Sequence, residues 1–131
     1  MKRLLLIIII PFLSFGQNVT YVPDDGFEQY LISAGLDDIL DNYVYTDAID
    51  TVTTLAIQYV GDLTGIEDFT NLSDLELFFS NAIYIDLSSV FSLTYLRICN
   101  SSSLVSLNLQ NGFNYNLSTF SLYGNYNLNC I

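Results

Sequence analysis

Four times between Val52 and Leu128 the chain repeats one spacing of apolar side chains. Val52, Leu55, Ile57 and Leu63 stand at relative positions 1, 4, 6 and 12, and Leu72, Leu75, Leu77 and Ile83 repeat them. Leu93, Leu96, Ile98 and Leu104 follow, then Leu117, Phe120, Leu122 and Leu128. The copies begin 20, 21 and 24 residues apart (52 to 72, 72 to 93, 93 to 117). Positions 4 and 6 are two residues apart, so on a strand they share one face, while positions 3, 5 and 7 share the other. Each copy therefore predicts one short strand. Successive strands stack in parallel about 4.8 Å apart and fuse their apolar positions into a core that no single copy can close.

A period of roughly 20–29 residues built in this way is that of leucine-rich repeats. The expected fold class is a leucine-rich-repeat solenoid of four repeats over 52–131, with one short parallel β-strand per repeat. On the convex side Ile66 with Phe69, and Leu87 with Val90 and Phe91, have the spacing of single helical or 3₁₀ turns. Ile131 falls at relative position 15, where Leu107 and Ile66 stand in other copies, so the last repeat is expected to be incomplete and its strand uncapped.

Before the repeats, Phe27, Tyr30, Leu31 and Ala34 recur at helical spacing after Pro23, Asp24 and Asp25, and Gly35 follows as a stop. Asp25 and Glu28 fit a capping box. A second cluster, Leu36, Ile39 and Leu40, can extend this helical N-terminal cap, which is assigned to 17–51. A solenoid needs such an end piece because its first repeat otherwise shows core and an open strand edge to water. Earlier still, Lys2 and Arg3 precede an apolar run from Leu4 to Leu13 and then Ser14-Phe15-Gly16. That is the order of a secretory signal peptide over 1–16, too short for the roughly 20 residues of a bilayer span. The mature chain is expected to begin at Gln17, with no membrane span after cleavage.

The stretches Tyr21-Val22-Pro23-Asp24-Asp25-Gly26-Phe27-Glu28, Gly35-Leu36-Asp37-Asp38-Ile39-Leu40-Asp41 and Leu63-Thr64-Gly65-Ile66-Glu67-Asp68-Phe69 resemble the N-terminal part of secreted bacterial leucine-rich-repeat proteins. Many proteins of that family carry a C-terminal type IX sorting domain, which is absent from this sequence. The resemblance implies a secreted or cell-surface protein of a Gram-negative envelope. It differs from the family at position 9, where the usual Asn appears only as Asn125, with Val60, Ser80 and Ser101 in the other copies, so no full asparagine ladder is expected.

Charge narrows the partners. The formal net charge is −11; without Lys2 and Arg3 it becomes −13 (−11 minus 2), leaving Arg97 as the one cation. Such a surface repels nucleic acid and anionic lipid. The chain has no His, and its many Ser residues, Ser101, Ser102 and Ser103 among them, lack a His or Lys in the mature chain to activate them. No catalytic residue and no cofactor is assigned. Asp37, Asp38, Asp41, Asp47 and Asp50 invite a calcium reading, but their spacing does not fit the twelve-residue calcium loop, and a solvated acidic face is the simpler account. Cys99 and Cys130 occupy different repeat positions, Cys130 matching Ser106, so two free thiols or a Cys130 paired elsewhere fit better than an internal bridge.

What remains is the concave face. Its candidate binding residues are Asp74, Glu76, Phe78, Tyr95, Arg97, Thr119, Ser121 and Tyr123, continued by Thr54, Ala56 and Gln58 in the first copy. Phe78 and Tyr123 flank Cys99 in one row, and exposed aromatics there serve either a contact patch for protein or sugar or cross-strand packing. The expected function is an exported, non-enzymatic binding or adhesion module for a protein or glycan ligand, with self-association possible through the open C-terminal edge. Two alternatives stand beside it: a truncated fragment of a larger surface protein, and a carbohydrate-active enzyme using Asp74 and Glu76.

Overall fold

The computed structural model describes residues 17–131; the expected signal peptide lies outside the described residues. Helix α1 (Asp25–Ser33) starts where Asp24 Oδ1 accepts the Phe27 amide at 2.8 Å. The cap is thus Asp24, one residue before the expected Asp25. Glu28 does not close a capping box. It lies on the same helix face as Leu31, fully buried, and its Oε1 accepts the amides of Asp41 (2.8 Å) and Tyr43 (3.2 Å). Gly35 ends the helix at φ 75°, with its amide on Ile32 O and that of Leu36 on Leu31 O.

Ile39 and Leu40 do not extend the helix. Asp37, Asp38 and Asp41 flank them, and both side chains stand exposed in irregular chain. The chain instead enters β2 (Tyr43–Tyr45), which pairs antiparallel with β1 (Val19–Tyr21), and then a single turn, α2 (Thr46–Ile49). The repeat spacing carries no information about this ribbon.

From β3 (Thr54–Gln58) the repeats follow their expected course. Together with β4 (Asp74–Phe78), β6 (Tyr95–Cys99) and β8 (Thr119–Ser121), β3 forms a four-stranded parallel sheet in the order β3-β4-β6-β8. Its register aligns Leu55 with Leu75, Leu96 and Phe120. Leu55, Ile57, Leu75, Leu77, Leu96 and Ile98 are buried in one core, which also holds Phe27 and Leu31 of the cap. The molecule is a parallel β-solenoid of three complete turns plus a fourth strand, with few helical residues.

The convex side is more extended than single turns. Turns occur at Ile66–Asp68, a 3₁₀ helix, and at Leu87–Val90, closed by the Val90 amide on Leu87 O. Between them, however, β5 (Tyr84–Asp86) and β7 (Ser106–Asn108) form a second parallel sheet, which an isolated bridge from Ser106 to Cys130 continues. That bridge confirms the expected match of Cys130 with Ser106, and both cysteines are free thiols.

Three core assignments are corrected, those of Ile83, Phe120 and Leu122. Ile83 is 67% exposed, and Ala82 takes the buried place beside Leu63 and Leu104. The second copy is one residue shorter between Ser80 and Ile85 than the third is between Ser101 and Leu107, so the register shifts by one and a strand-like alternation turns Ile83 outward. Phe120 is 46% exposed and Leu122 only partly buried. Each turn is buried by the next one, and no turn follows β8 among the described residues.

Polar ladders tie the turns together. At position 2 the hydroxyls of Ser73, Thr94 and Ser118 donate to the carbonyls of Thr53, Ser73 and Thr94, at 3.1, 3.3 and 3.0 Å. At position 9 the full asparagine ladder is replaced by a mixed one. Ser80 Oγ donates to Val60 O (2.7 Å), Ser101 Oγ accepts the Ser80 amide (3.0 Å), and Asn125 Oδ1 accepts the Ser101 amide (2.9 Å) while its Nδ2 donates to Ile98 O (2.8 Å). Both ladders satisfy backbone groups that a tight solenoid buries away from water.

Candidate binding face

Strand alternation projects positions 3, 5 and 7 of each copy from the concave side of the sheet. The first row is Thr54, Asp74, Tyr95 and Thr119; the second is Ala56, Glu76, Arg97 and Ser121. The third begins with Gln58, Phe78 and Cys99, and Tyr123 continues it just past β8, its carbonyl accepting the Asn100 amide at 2.9 Å. All eight sequence-derived candidates therefore lie on one continuous surface. Arg97, Thr119 and Tyr123 are exposed, and Asp74, Glu76, Phe78, Tyr95 and Ser121 are half-buried.

The centre of this surface is a small charged cluster. Arg97 Nη1 lies 3.9 Å from Glu76 Oε2, and its guanidinium carbon sits 5.4 Å from the centre of the Phe78 ring, a cation–π contact. The neighbouring Cys99 side chain, and to a lesser degree Tyr95 and Glu76, hold the guanidinium above its ordinary pKa against an opposing effect of burial. Asp74 takes a hydrogen bond from the Ser73 hydroxyl. Cys99 itself is buried, so the third row presents Phe78 and Tyr123 with a shallow gap between them.

Sequence reasoning missed a fourth row. Position 8 is Tyr59, Phe79, Asn100 and Gly124, and all four residues have positive φ: 59°, 54°, 55° and 77°. Each of the first three donates its amide to the position-7 carbonyl of the next turn, and this geometry forces the left-handed bend. At Gly124 a Cβ would meet Asn100 Oδ1 at 2.5 Å and displace that side chain. Tyr59 and Phe79 are 64% and 45% exposed and stack with ring centroids 5.7 Å apart and planes 17° from parallel. Asn and Gly at position 8 were the readable signal, since these are the residues that visit left-handed backbone routinely.

Elsewhere the acids are dispersed. Asp37 Oδ1 accepts the Asp38 amide and Asp41 Oδ1 the Tyr43 amide, and no group of three His, Cys, Asp or Glu among the described residues is placed to hold a metal ion. A cavity of about 340 Å³ on the convex side lies between Asp62, Glu67 and Asp86. Ser88, through its hydroxyl and its amide, holds the Asp86 carboxyl below its ordinary pKa against an opposing effect of burial, with Tyr84 and Asn108 adding to the lowering. Among the described residues no helix is long and apolar enough to cross a membrane.

No family model matches the sequence, and no curated protein does. Solved structures do. The functional domain of InlJ from Listeria monocytogenes, which includes a cysteine ladder, matches 88% of this chain at 23% identity and a TM-score of 0.62, the match covering 28% of that chain. A structure of the carbohydrate-binding module CBM51-2 with GlcNAc and INT domains from Clostridium perfringens ZmpB matches 64% of this chain and 18% of that one, at 24% identity and a TM-score of 0.55. The internalin InlF from Listeria monocytogenes matches at 20% identity and a TM-score of 0.46, covering 84% of this chain and 43% of that one. The chain spans less than half the length of each of these structures. At this identity the likeness concerns the fold alone, and it agrees with the repeat geometry: the chain folds as a leucine-rich-repeat β-solenoid of the kind seen in InlJ.

Proposed function

We propose that this protein is an exported, non-enzymatic binding or adhesion module, acting at the cell surface or outside the cell, whose concave sheet engages a protein or glycan. The observation that carries the reading is the surface of exposed Arg97 and Tyr123 with half-buried Tyr95 and Ser121 on one parallel sheet. A solenoid presents such a surface without needing to deform. One fold neighbour supports the same reading, since its structure includes a carbohydrate-binding module with GlcNAc. The hydroxyls of Ser73, Ser80 and Ser118 are spent on backbone carbonyls, and Glu76 is turned to Arg97; these groups hold the scaffold and are not set out as nucleophile and base.

A glycan array and a protein pull-down, each run with the parent and with Tyr95→Ala, Arg97→Ala and Tyr123→Ala, test this. A ligand whose capture falls in these variants supports the concave face. Capture unchanged in all three removes it as the site.

One observation favours a second partner. No charged side chain occurs from Ile98 to Ile131, and beside β8, the last strand among the described residues, lies an apolar cavity of about 430 Å³ between Leu109, Leu117, Phe120 and Ile131. Two copies meeting at these ends keep their acidic surfaces apart. Light scattering across a concentration series reads this self-association, and a strict monomer with an unchanged signal rules it out.

A further inference from the structure

The Tyr59–Phe79 pair is expensive as a structural device. Bulky side chains at positive φ are outliers among L-residues and carry backbone strain. Asn100 and Gly124 show that the turn itself needs no ring at this position. Tyr59 is largely exposed and Phe79 nearly half exposed, so burial returns only part of the cost. The pair therefore stands at the end of the concave strands as an unfilled aromatic surface.

Its electrical surroundings define what it attracts. Residues 17–131 carry 14 acids against Arg97 alone. Three acids belong to the chain immediately beside Tyr59. Asp24 Oδ2 accepts the amides of Gly61 (2.8 Å) and Asp62 (3.0 Å), which docks the first turn of α1 with Asp25 against the residues following Tyr59. A Cβ on Gly26 would lie 3.4 Å from Tyr59 O, which marks how closely the two segments meet. One turn along, the protein shows the interaction on itself, where the Arg97 guanidinium lies over Phe78 and faces Glu76.

We propose that Tyr59 and Phe79, set in the acidic surface of the first turn, form a docking site for arginine side chains of a basic peptide segment on a partner protein. This rests on the binding-module reading and gives its protein partner a chemistry. A guanidinium stacks flat on an aromatic ring and is weakly hydrated, so it leaves water at little cost; an ammonium of equal charge is held more strongly by water. The acidic field raises the local concentration of such a segment before contact.

The test titrates the ¹⁵N-labelled protein with tetra-arginine, tetra-lysine and tetra-glutamate at one ionic strength. Tetra-arginine is expected to shift the Tyr59 and Phe79 amides and to bind about two- to five-fold tighter than tetra-lysine, with no binding of tetra-glutamate. The variant Y59N/F79N copies the residue already present in the third turn; it is expected to keep or raise the melting temperature and to bind the two cationic peptides equally. Y59G/F79G, the residue of the fourth turn, serves the same purpose should the asparagine variant fail to fold. Equal affinity for both cations in the parent, or shifts centred away from Tyr59 and Phe79, overturns the proposal by reducing it to general charge. A lower melting temperature in both variants overturns it too, because the pair is then a staple of the fold. If the rim fails in this way while a ligand from the array or pull-down still depends on Tyr95, Arg97 or Tyr123, the binding-module reading stands without it; if those variants also bind as the parent does, both fall.

Discussion

The two ends of the solenoid are built from the same kind of residue and meet water differently. At the N-terminal end α1 lays Phe27 and Leu31 over the first turn, Phe27 stacks on Phe69 with centroids 5.8 Å apart, and the Tyr30 hydroxyl accepts the Ala56 amide on the outer edge of β3 at 3.2 Å. At the C-terminal end β8 has no partner beyond β6 among the described residues, and Leu117, Leu122 and Leu128 are only partly buried. Leu55 and Phe120 occupy equivalent positions of the repeat, yet one is in the core and the other is not. Burial in a stacked fold belongs to the neighbour as much as to the side chain.

The strongest way to break this comparison is to delete equivalent side chains from the middle and from the open end. Leu75→Ala is expected to cost about 2–5 kcal/mol, because Leu75 is fully buried between two turns. Phe120→Ala removes a larger side chain but is expected to cost about 1 kcal/mol, and Arg97→Ala less than about 1, its partner Glu76 being reached only across an exposed 3.9 Å contact. Urea denaturation measures all three. Equal costs for Leu75 and Phe120 would show that the open end is covered.

Next in size is the cap. Glu28→Ala leaves the Asp41 and Tyr43 amides without their acceptor in a buried place and is expected to cost about 2–3 kcal/mol. Glu28→Gln keeps a carbonyl oxygen for those amides and removes a buried charge, so it is expected to cost less than half as much. If the two variants are equally unstable, the charge of Glu28 matters more than its hydrogen bonds.

Hydrogen exchange sharpens the comparison without mutation. Amides from Leu117 onward are expected to exchange faster than those of β4 and β6, since an uncovered edge frays first. The Ala56 amide, although on an edge, is expected to be protected through Tyr30, and Tyr30→Phe removes that protection at this one residue. Uniform protection from Val52 to Leu128 in a monomer would erase the difference between the ends.

What the sequence made legible follows from the same distinction. The apolar spacing located β3, β4, β6 and β8 and the concave rows, because strand alternation is local and is repeated four times. It misplaced Ile83 and Phe120. The first needed a one-residue shortening seen only once β5 and β7 are paired, and the second needed a neighbour that the pattern assumes. The antiparallel ribbon of the cap and the use of Glu28 depend on contacts between residues 13 to 26 apart in the chain, such as Glu28 with Asp41 and Val19 with Tyr45, which no periodicity encodes. The eight concave candidates were legible for the same reason as the strands. Tyr59 and Phe79 were not, because their position is defined by backbone conformation; only Asn100 and Gly124 at the same place in other copies betray it.

The smallest expected effect lies midway between the ends, on the convex sheet. Asp86 accepts the Ser88 amide at 2.9 Å and the Tyr84 hydroxyl at 3.2 Å, and these bonds favour its ionised form in the folded state. A carboxyl whose folded pKa is lowered contributes stability that is fully present above its unfolded value of about 3.9 and is lost as pH falls through the folded value. The parent is therefore expected to lose a small increment below about pH 4 that Asp86→Asn does not lose, so the two stabilities draw together in acid. Asp86 is exposed, and solvent screens it strongly, so the difference belongs at the bottom of this scale, beneath Arg97→Ala. Melting curves of parent and Asp86→Asn from about pH 3 to 7 measure it. A gap that widens in acid would reverse the sign and show that the turn after β5 prefers the protonated carboxyl.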